Sequence, residues 1–194
     1  LPTGEINGQG LSGAFVQRII SGQPLNVFYV RQFEGIDKTN GQAILTDDGA
    51  SFFYKGDPNP KTLLGLSAAA TYKRLFLEIN MNGAFGFQIY NNTANAVLPI
   101  NNLGTGRNTT PQTLALDENL SSPITTSSRY LENGNYMRLA NATLQYRIGD
   151  IGKVIKGVNV FVTGQNLFLI TKYSGFDPEV NTDKQIGGVP SFGI

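Results

Sequence analysis

Histidine, cysteine and tryptophan are all missing from the 194 residues. Without histidine there is no Ser-His dyad and no imidazole to ligate a metal. Without cysteine there is no thiolate nucleophile, no zinc-thiolate site and no disulfide framework. Charge is also scarce. Asp, Glu, Lys and Arg make up 15% of the chain, with 15 Lys+Arg against 14 Asp+Glu, well below the roughly 25% usual for soluble domains. Such a balance offers no clustered basic footprint for nucleic acid. No apolar run reaches the ~18 residues of a membrane-spanning helix. A membrane-spanning β-strand needs only ~9–11 residues with alternate positions apolar, so this last absence leaves strands open. The chain starts at Leu1 without a charged-then-apolar leader, and any secretory signal is expected upstream.

What is present is glycine (23), phenylalanine (12), tyrosine (8) and many Asn and Thr. Apolar residues alternate rather than recur at helical spacing, so the chain is predicted to be all-β, with six antiparallel up-and-down strands. These are residues 13–20 (GAFVQRII), 25–36 (LNVFYVRQFEGI), 61–72 (KTLLGLSAAATY), 74–85 (RLFLEINMNGAF), 136–148 (YMRLANATLQYRI) and 158–170 (VNVFVTGQNLFLI). Lys73 makes the tightest turn. The connections alternate short and long. Residues 21–24, 73 and 149–157 are short; 37–60, 86–135 and the tail from 171 are long and polar. Structureless loops of that length are unusual in a compact domain, but outer-membrane barrels pair short periplasmic turns with long outer loops.

The strand faces extend this reading. Leu64, Leu66, Ala68, Ala70 and Tyr72 form one apolar row. Leu75, Leu77, Ile79 and Met81 oppose Glu78, Asn80 and Asn82. Ala140, Ala142, Leu144 and Tyr146 oppose Asn141, Thr143, Gln145 and Arg147. The polar side carries Asn, Gln and Thr more than ion pairs, as a watery lumen would. Tyr72, Tyr136 and Tyr146 fall near strand ends, where an aromatic girdle would lie. A soluble all-β carbohydrate-binding module is the alternative, since a sandwich also alternates.

Among chemistry-bearing patterns, residues 8–13 (GQGLSG) fit G-x-G-x-x-G but lack the strand before and the helix after that a dinucleotide site needs. Asp47, Asp48, Asp57 and Glu118 are loop carboxylates without EF-hand spacing, and nothing selects a pair for glycoside hydrolysis. No catalytic, cofactor or metal site is assigned. The N-x-S/T matches at Asn91, Asn108, Asn119 and Asn141 read as chance in an Asn/Thr-rich chain. The loop aromatics Phe52, Phe53, Tyr54, Tyr90, Tyr130 and Tyr173 are suited to stacking on a ligand. Tyr90, Tyr130, Tyr173 and Asp177 are taken as the substrate-binding candidates.

Three stretches resemble a known family. Residues 158–180 (VNVFVTGQNLFLITKYSGFDPEV), 131–146 (LENGNYMRLANATLQY) and 56–86 (GDPNPKTLLGLSAAATYKRLFLEINMNGAFG) are similar to barrel segments of SusC/RagA-family TonB-dependent outer-membrane receptors; residues 18–35 match more loosely. The resemblance implies the C-terminal portion of a β-barrel, with plug, most of the barrel and final strand absent. About six of the ~22 strands of such a plugged transporter would be present. It implies the outer membrane of a Gram-negative, Bacteroidota-type bacterium, import of a glycan or possibly a peptide, and no enzymatic activity. The implied partners are a SusD-like surface lipoprotein, the TonB-ExbB-ExbD complex acting through the absent plug, and outer-membrane lipid. No cofactor is implied. Segments 37–60, 86–135 and 172–194 would face the lid or the ligand. Tyr173 lies inside the signature, where bracing its loop is the competing role.

Overall fold

A computed structural model describes residues 1–6 and 13–179. The glycine-rich residues 7–12 and the tail beyond 179 lie outside them. The described chain is mostly antiparallel β-structure and divides into two compact units. One comprises residues 60–86 and 134–172; the other comprises 1–59, 87–133 and the segment from 173.

The unit of residues 60–86 and 134–172 is a single antiparallel sheet. Its strands are Thr62–Tyr72, Leu75–Phe85, Tyr136–Ile151 and Ile155–Thr171. Numbered in chain order with those of the other unit these are β7, β8, β11 and β12, and they lie in the order β12-β11-β8-β7. The β7–β8 hairpin closes through Lys73 and Arg74, with Tyr72 opposite Leu75 and a left-handed φ of 55° at Lys73. The tight turn at Lys73 is thus present. The link expected at 149–157 is shorter than read, because β11 and β12 run on to Ile151 and back from Ile155. Both turns lie at one end of the sheet. At the other end Thr62, Phe85, Tyr136 and Thr171 mark where the chain enters and leaves.

Register explains why the faces segregate. Ala70, Leu77, Leu144 and Val162 stand opposite one another across all four strands, as do Tyr72, Leu75, Tyr146 and Val160. On the other face Ser67, Asn80, Asn141 and Gln165 align, and Thr143 shares a 3.0 Å hydroxyl contact with Thr163. The apolar row is not covered: Leu77 is 43% exposed, Leu144 44% and Val162 65%. Two details of the sequence reading change. Ala140 is the extra residue of a bulge between Leu139 and Asn141, and a bulge shifts parity by one. Leu139, opposite Met81, therefore continues the apolar row in place of Ala140. Tyr136, before the bulge, falls with Arg138 on the polar side and is buried, so of the three proposed girdle tyrosines only Tyr72 and Tyr146 sit on the apolar face.

The other unit has its own core. Here β1 (Pro2–Ile6), β2 (Ala14–Arg18), β3 (Val27–Val30) and β6 (Phe53–Gly56) form a sheet in the order β1-β2-β3-β6. The strands β4 (Phe33–Ile36) and β5 (Ala43–Leu45) pair as a hairpin, and β9 (Gln88–Tyr90) pairs with β10 (Leu131–Asn133). The predicted strand over 25–36 is therefore two strands in two sheets, and β1 has no counterpart in the six-strand reading. Short helices α1 (Asn92–Val97), α2 (Asn101–Gly104) and α3 (Pro111–Leu114) occupy the long segment read as loop. Ile6, Val16, Phe28, Val30, Tyr90, Ala94 and Tyr130 form the core cluster, and each large side chain so buried contributes roughly 1.5–3 kcal/mol. Among the described residues no helix is long and apolar enough to cross a membrane, which has no bearing on strands.

Candidate functional site

The turn between β4 and β5 is built by its polar residues. Asp37 Oδ1 accepts from the Thr39 amide (2.8 Å) and hydroxyl (2.6 Å), and Asn40 Oδ1 accepts from the Gln42 amide (2.8 Å). Such side-chain-to-backbone bonds are the local turn chemistry of Asx residues. The Thr39 hydroxyl and amide hold the Asp37 carboxyl below its ordinary pKa. Gly41 sits at φ 71° with its α-carbon against the backbone of Asn119, where a β-carbon would come within 2.7 Å of the Asn119 nitrogen. Only glycine tolerates both conditions.

That close approach docks the segment after α3 onto the hairpin. The Asn119 amide donates to Gly41 O (2.8 Å), Gln42 Nε2 to Ser121 Oγ (3.1 Å), and the Ala43 amide to Ser122 Oγ (3.3 Å). Further along, the Ser128 amide donates to Arg31 O (2.8 Å) and the Phe33 amide to Ser128 Oγ (3.0 Å). Between these two anchored ends lies an open cleft of about 720 Å³, within the ~300–1,000 Å³ of ligand sites. Its wall includes Arg31, Asp37, Gln42, Ile44, Asp48 and Thr125, and no aromatic side chain among the described residues. Arg31 is held by its Nε donating to Gly49 O (2.6 Å) and by its guanidinium lying 4.5 Å over the Phe52 ring. Phe52 stacks on Tyr29 at 6.2 Å, and Arg18 lies 4.6 Å over Tyr29.

A second polar cluster joins two of the signature stretches. Glu132 Oε1 accepts from Asn91 Nδ2 (2.9 Å) and Ser174 Oγ (2.7 Å), and Oε2 accepts from the Ser174 amide (2.7 Å). Asn91 Oδ1 in turn caps α1 at the Ala94 amide (2.9 Å). Glu118 and Arg129 form a bidentate pair at 2.8 Å in both bonds. Burial opposes the Arg129 charge, but the Glu118 carboxylate outweighs it and leaves the pKa raised.

The sequence-named candidates do not converge on the cleft. Tyr90 and Tyr130 are core residues, 2% and 7% exposed, and present no ring to a ligand. Asn95 Nδ2 donates to Tyr90 Oη (2.8 Å), and burial raises the Tyr90 phenol well above its usual value. Burial pushes Tyr130 up to about 12, Arg129 opposing and Glu118 assisting. Tyr173 and Asp177 are half-buried near each other. Tyr173 is pushed up to about 12 by burial first, then by Glu132 and Asp177, while Asp177 Oδ1 accepts from the Glu179 amide (2.9 Å). Of the loop carboxylates, Glu118 is committed to Arg129 and Asp57 Oδ1 accepts from the Asn59 amide (2.8 Å). No group of three or more metal-ligating side chains occurs among the described residues. The cleft residues not singled out as binding candidates carried one signal: the polar loop 37–60, expected to face the lid or the ligand, supplies Asp37 and Asp48 of the charged wall.

The architecture recurs in known proteins. The chain is 30% identical to TonB-dependent receptor SusC of Bacteroides thetaiotaomicron over 83% of its own length, and 26% identical to TonB-dependent receptor P3 of Formosa agariphila over 87%. It spans only about a fifth of those relatives, 18% and 20%. Among solved structures it is similar to the RagAB peptide transporter, with a TM-score of 0.64 and 22% identity over 87% of this chain and 22% of that one. It is likewise similar to the open-open state of the RagAB peptide importer, with a TM-score of 0.64 and 23% identity over 86% of this chain and 22% of that one. No family model matches. The signature stretches, the open antiparallel sheet and these relatives agree: the chain belongs to the SusC/RagA family of TonB-dependent receptors, of which it is a part.

Proposed function

We propose that this chain supplies barrel wall and surface loops, from the C-terminal portion of the barrel, to an outer-membrane importer of a nutrient, a glycan or a peptide. The carrying observation is the exposed apolar row in register across four strands whose outer two, β7 and β12, have no partner strand along their outer margins among the described residues. Strands of 11 residues, as in β7 and β8, match the ~9–11 needed to cross hydrocarbon. An unpaired margin of that length exposes a row of backbone donors and acceptors; further strands of the receptor would complete it.

The remaining parts of the reading rest on family. A SusD-like surface lipoprotein would cover the outer loops, and the TonB-ExbB-ExbD complex would act through a plug domain encoded elsewhere in the protein. Segments 37–60, 86–135 and 172–194 would be extracellular, and the turns at 73–74 and 152–154 periplasmic. The chain's role is binding and passage, without catalysis. Two measurements test this. Full-length protein should fractionate with outer membranes; recovery in the soluble fraction overturns the reading. Deletion of the gene should abolish growth on one polymeric nutrient while leaving growth on its monomers intact.

A further inference from the structure

We propose that the cleft between β5 and residues 123–126 binds an extended peptide by strand addition; the proposal rests on the import reading and names its substrate class. Three observations carry it. First, both long walls offer backbone. β5 is the edge of a two-stranded sheet and lines the cleft; its Ala43 amide is taken up by Ser122 Oγ, which leaves the margin at Leu45 for a ligand. Opposite it, the amides of Ile124, Thr125 and Thr126 have no hydrogen-bond partner among the described residues, although both ends of this segment are pinned, at Ser122 and Ser128. Backbone donors held in place without partners suit a ligand that brings carbonyls at strand spacing.

Second, the side-chain wall fits a peptide better than a sugar. A glycan site would present aromatic faces for stacking, and this wall has none among the described residues. It has Ile44, Leu45 and Ile124 for apolar side chains. Third, the cleft holds opposite charges: Arg31 in the link between β3 and β4, and Asp37 and Asp48 in the segments that flank β5. None of the three forms an ion pair among the described residues. A free peptide carries both complementary charges at its ends, and the planar guanidinium of Arg31 matches a terminal carboxylate. A neutral glycan carries neither charge.

The test uses the purified full-length receptor and three probes measured by calorimetry. These are a hexapeptide of alternating alanine and valine with free termini, the same peptide N-methylated at alternate amides, and maltohexaose. The unmodified peptide should bind. N-methylation should weaken it about tenfold or more, since it removes main-chain bonds. Thr125→Pro, which deletes one wall amide, should cost about tenfold, whereas Thr125→Val should leave affinity unchanged. Arg31→Gln should weaken the free-acid peptide about tenfold and have no effect on the C-terminally amidated one. Binding of maltohexaose without the peptide, peptide binding indifferent to N-methylation, or no binding of either probe overturns the proposal. The import reading is judged separately by uptake in intact cells. A receptor that carries nutrient but fails these tests loses only the peptide site, and one that passes them but carries nothing loses only the import reading.

Discussion

The sheet of β7, β8, β11 and β12 and the unit around the Phe28 core handle apolar side chains in opposite ways. In the sheet, Leu66, Leu77, Leu144 and Val162 line one face and remain 43–65% exposed. In the other unit, Ile6, Val16, Val30 and Phe28 are at most 1% exposed, although their strands are only four or five residues long. Strand length and register replace packing in the first; packing replaces strand length in the second. A solvent that is itself apolar makes the first arrangement stable, and water makes the second necessary. One chain thus carries a sheet with an exposed apolar face and a unit with a buried core.

The comparison can be broken most forcefully at Phe28. Phe28→Ala should cost ~3–5 kcal/mol, the usual range for emptying a packed aromatic site. In hydrogen exchange on the full-length receptor, segments 1–59 and 87–133 should lose protection while β7, β8, β11 and β12 keep theirs. Equal loss in the sheet strands would show that the two units share one core. The next largest effect belongs to the sheet. Leu77→Arg should cost ~2–4 kcal/mol of insertion into lipid vesicles, the midplane figure for a cation on a barrel's outer face. Thr143→Arg, one strand away but on the opposite face, should cost far less. Equal penalties would mean that the two faces do not meet different solvents.

This contrast also governs what the sequence revealed. The sheet strands were legible because long alternation with 11–17 residues per strand leaves no other reading. Even there Ala140 was misplaced, since alanine suits either face and cannot announce a bulge. The second unit was mostly illegible. Its strands are three to five residues long, too short to show a period, and they are joined by bonds spanning up to 95 positions, as from the Phe33 amide to Ser128 Oγ. The strand read through 25–36 divides at Arg31–Gln32, where the chain leaves one sheet for another; hydrophobicity runs on across that point and hides the break. The site suffered for a related reason. Aromatic residues in polar loops suggested ligand contact, but Tyr90 and Tyr130 fill a core that those loops themselves build. The cleft is walled by turn residues and exposed backbone, which carry no compositional mark.

A smaller effect probes how residues 173–179 are fastened within their own unit. Glu132 accepts three bonds, two of them from Ser174. Hydrogen bonds to a charged group contribute ~1.5–3 kcal/mol, so Glu132→Ala should release residues 173–179 to proteolysis by roughly that free energy. The Phe28 core should stay protected, because none of its members touches this carboxylate through a hydrogen bond. Cleavage rates unchanged at 173–179 would show that this segment is held by contacts other than those of Glu132, the Asn91 Nδ2 bond to Ser174 Oγ (3.2 Å) among them.

The smallest effect at neutral pH, and the sharpest in mechanism, concerns the tyrosines. An unfolded tyrosine ionises near 10.0, while Tyr130 and Tyr173 are raised to about 12. A raised phenol means that the folded state favours the neutral form. The associated stability is therefore complete below pH 10 and declines as pH rises towards about 12. Absorbance at the phenolate band should show both groups titrating late. Their causes differ beyond burial: Tyr173 also feels Glu132 and Asp177, whereas Tyr130 faces Arg129 and Glu118. Asp177→Asn should accordingly shift Tyr173 down and leave Tyr130 in place. If Tyr173 does not move, its shift comes from desolvation and Glu132 without a share from Asp177.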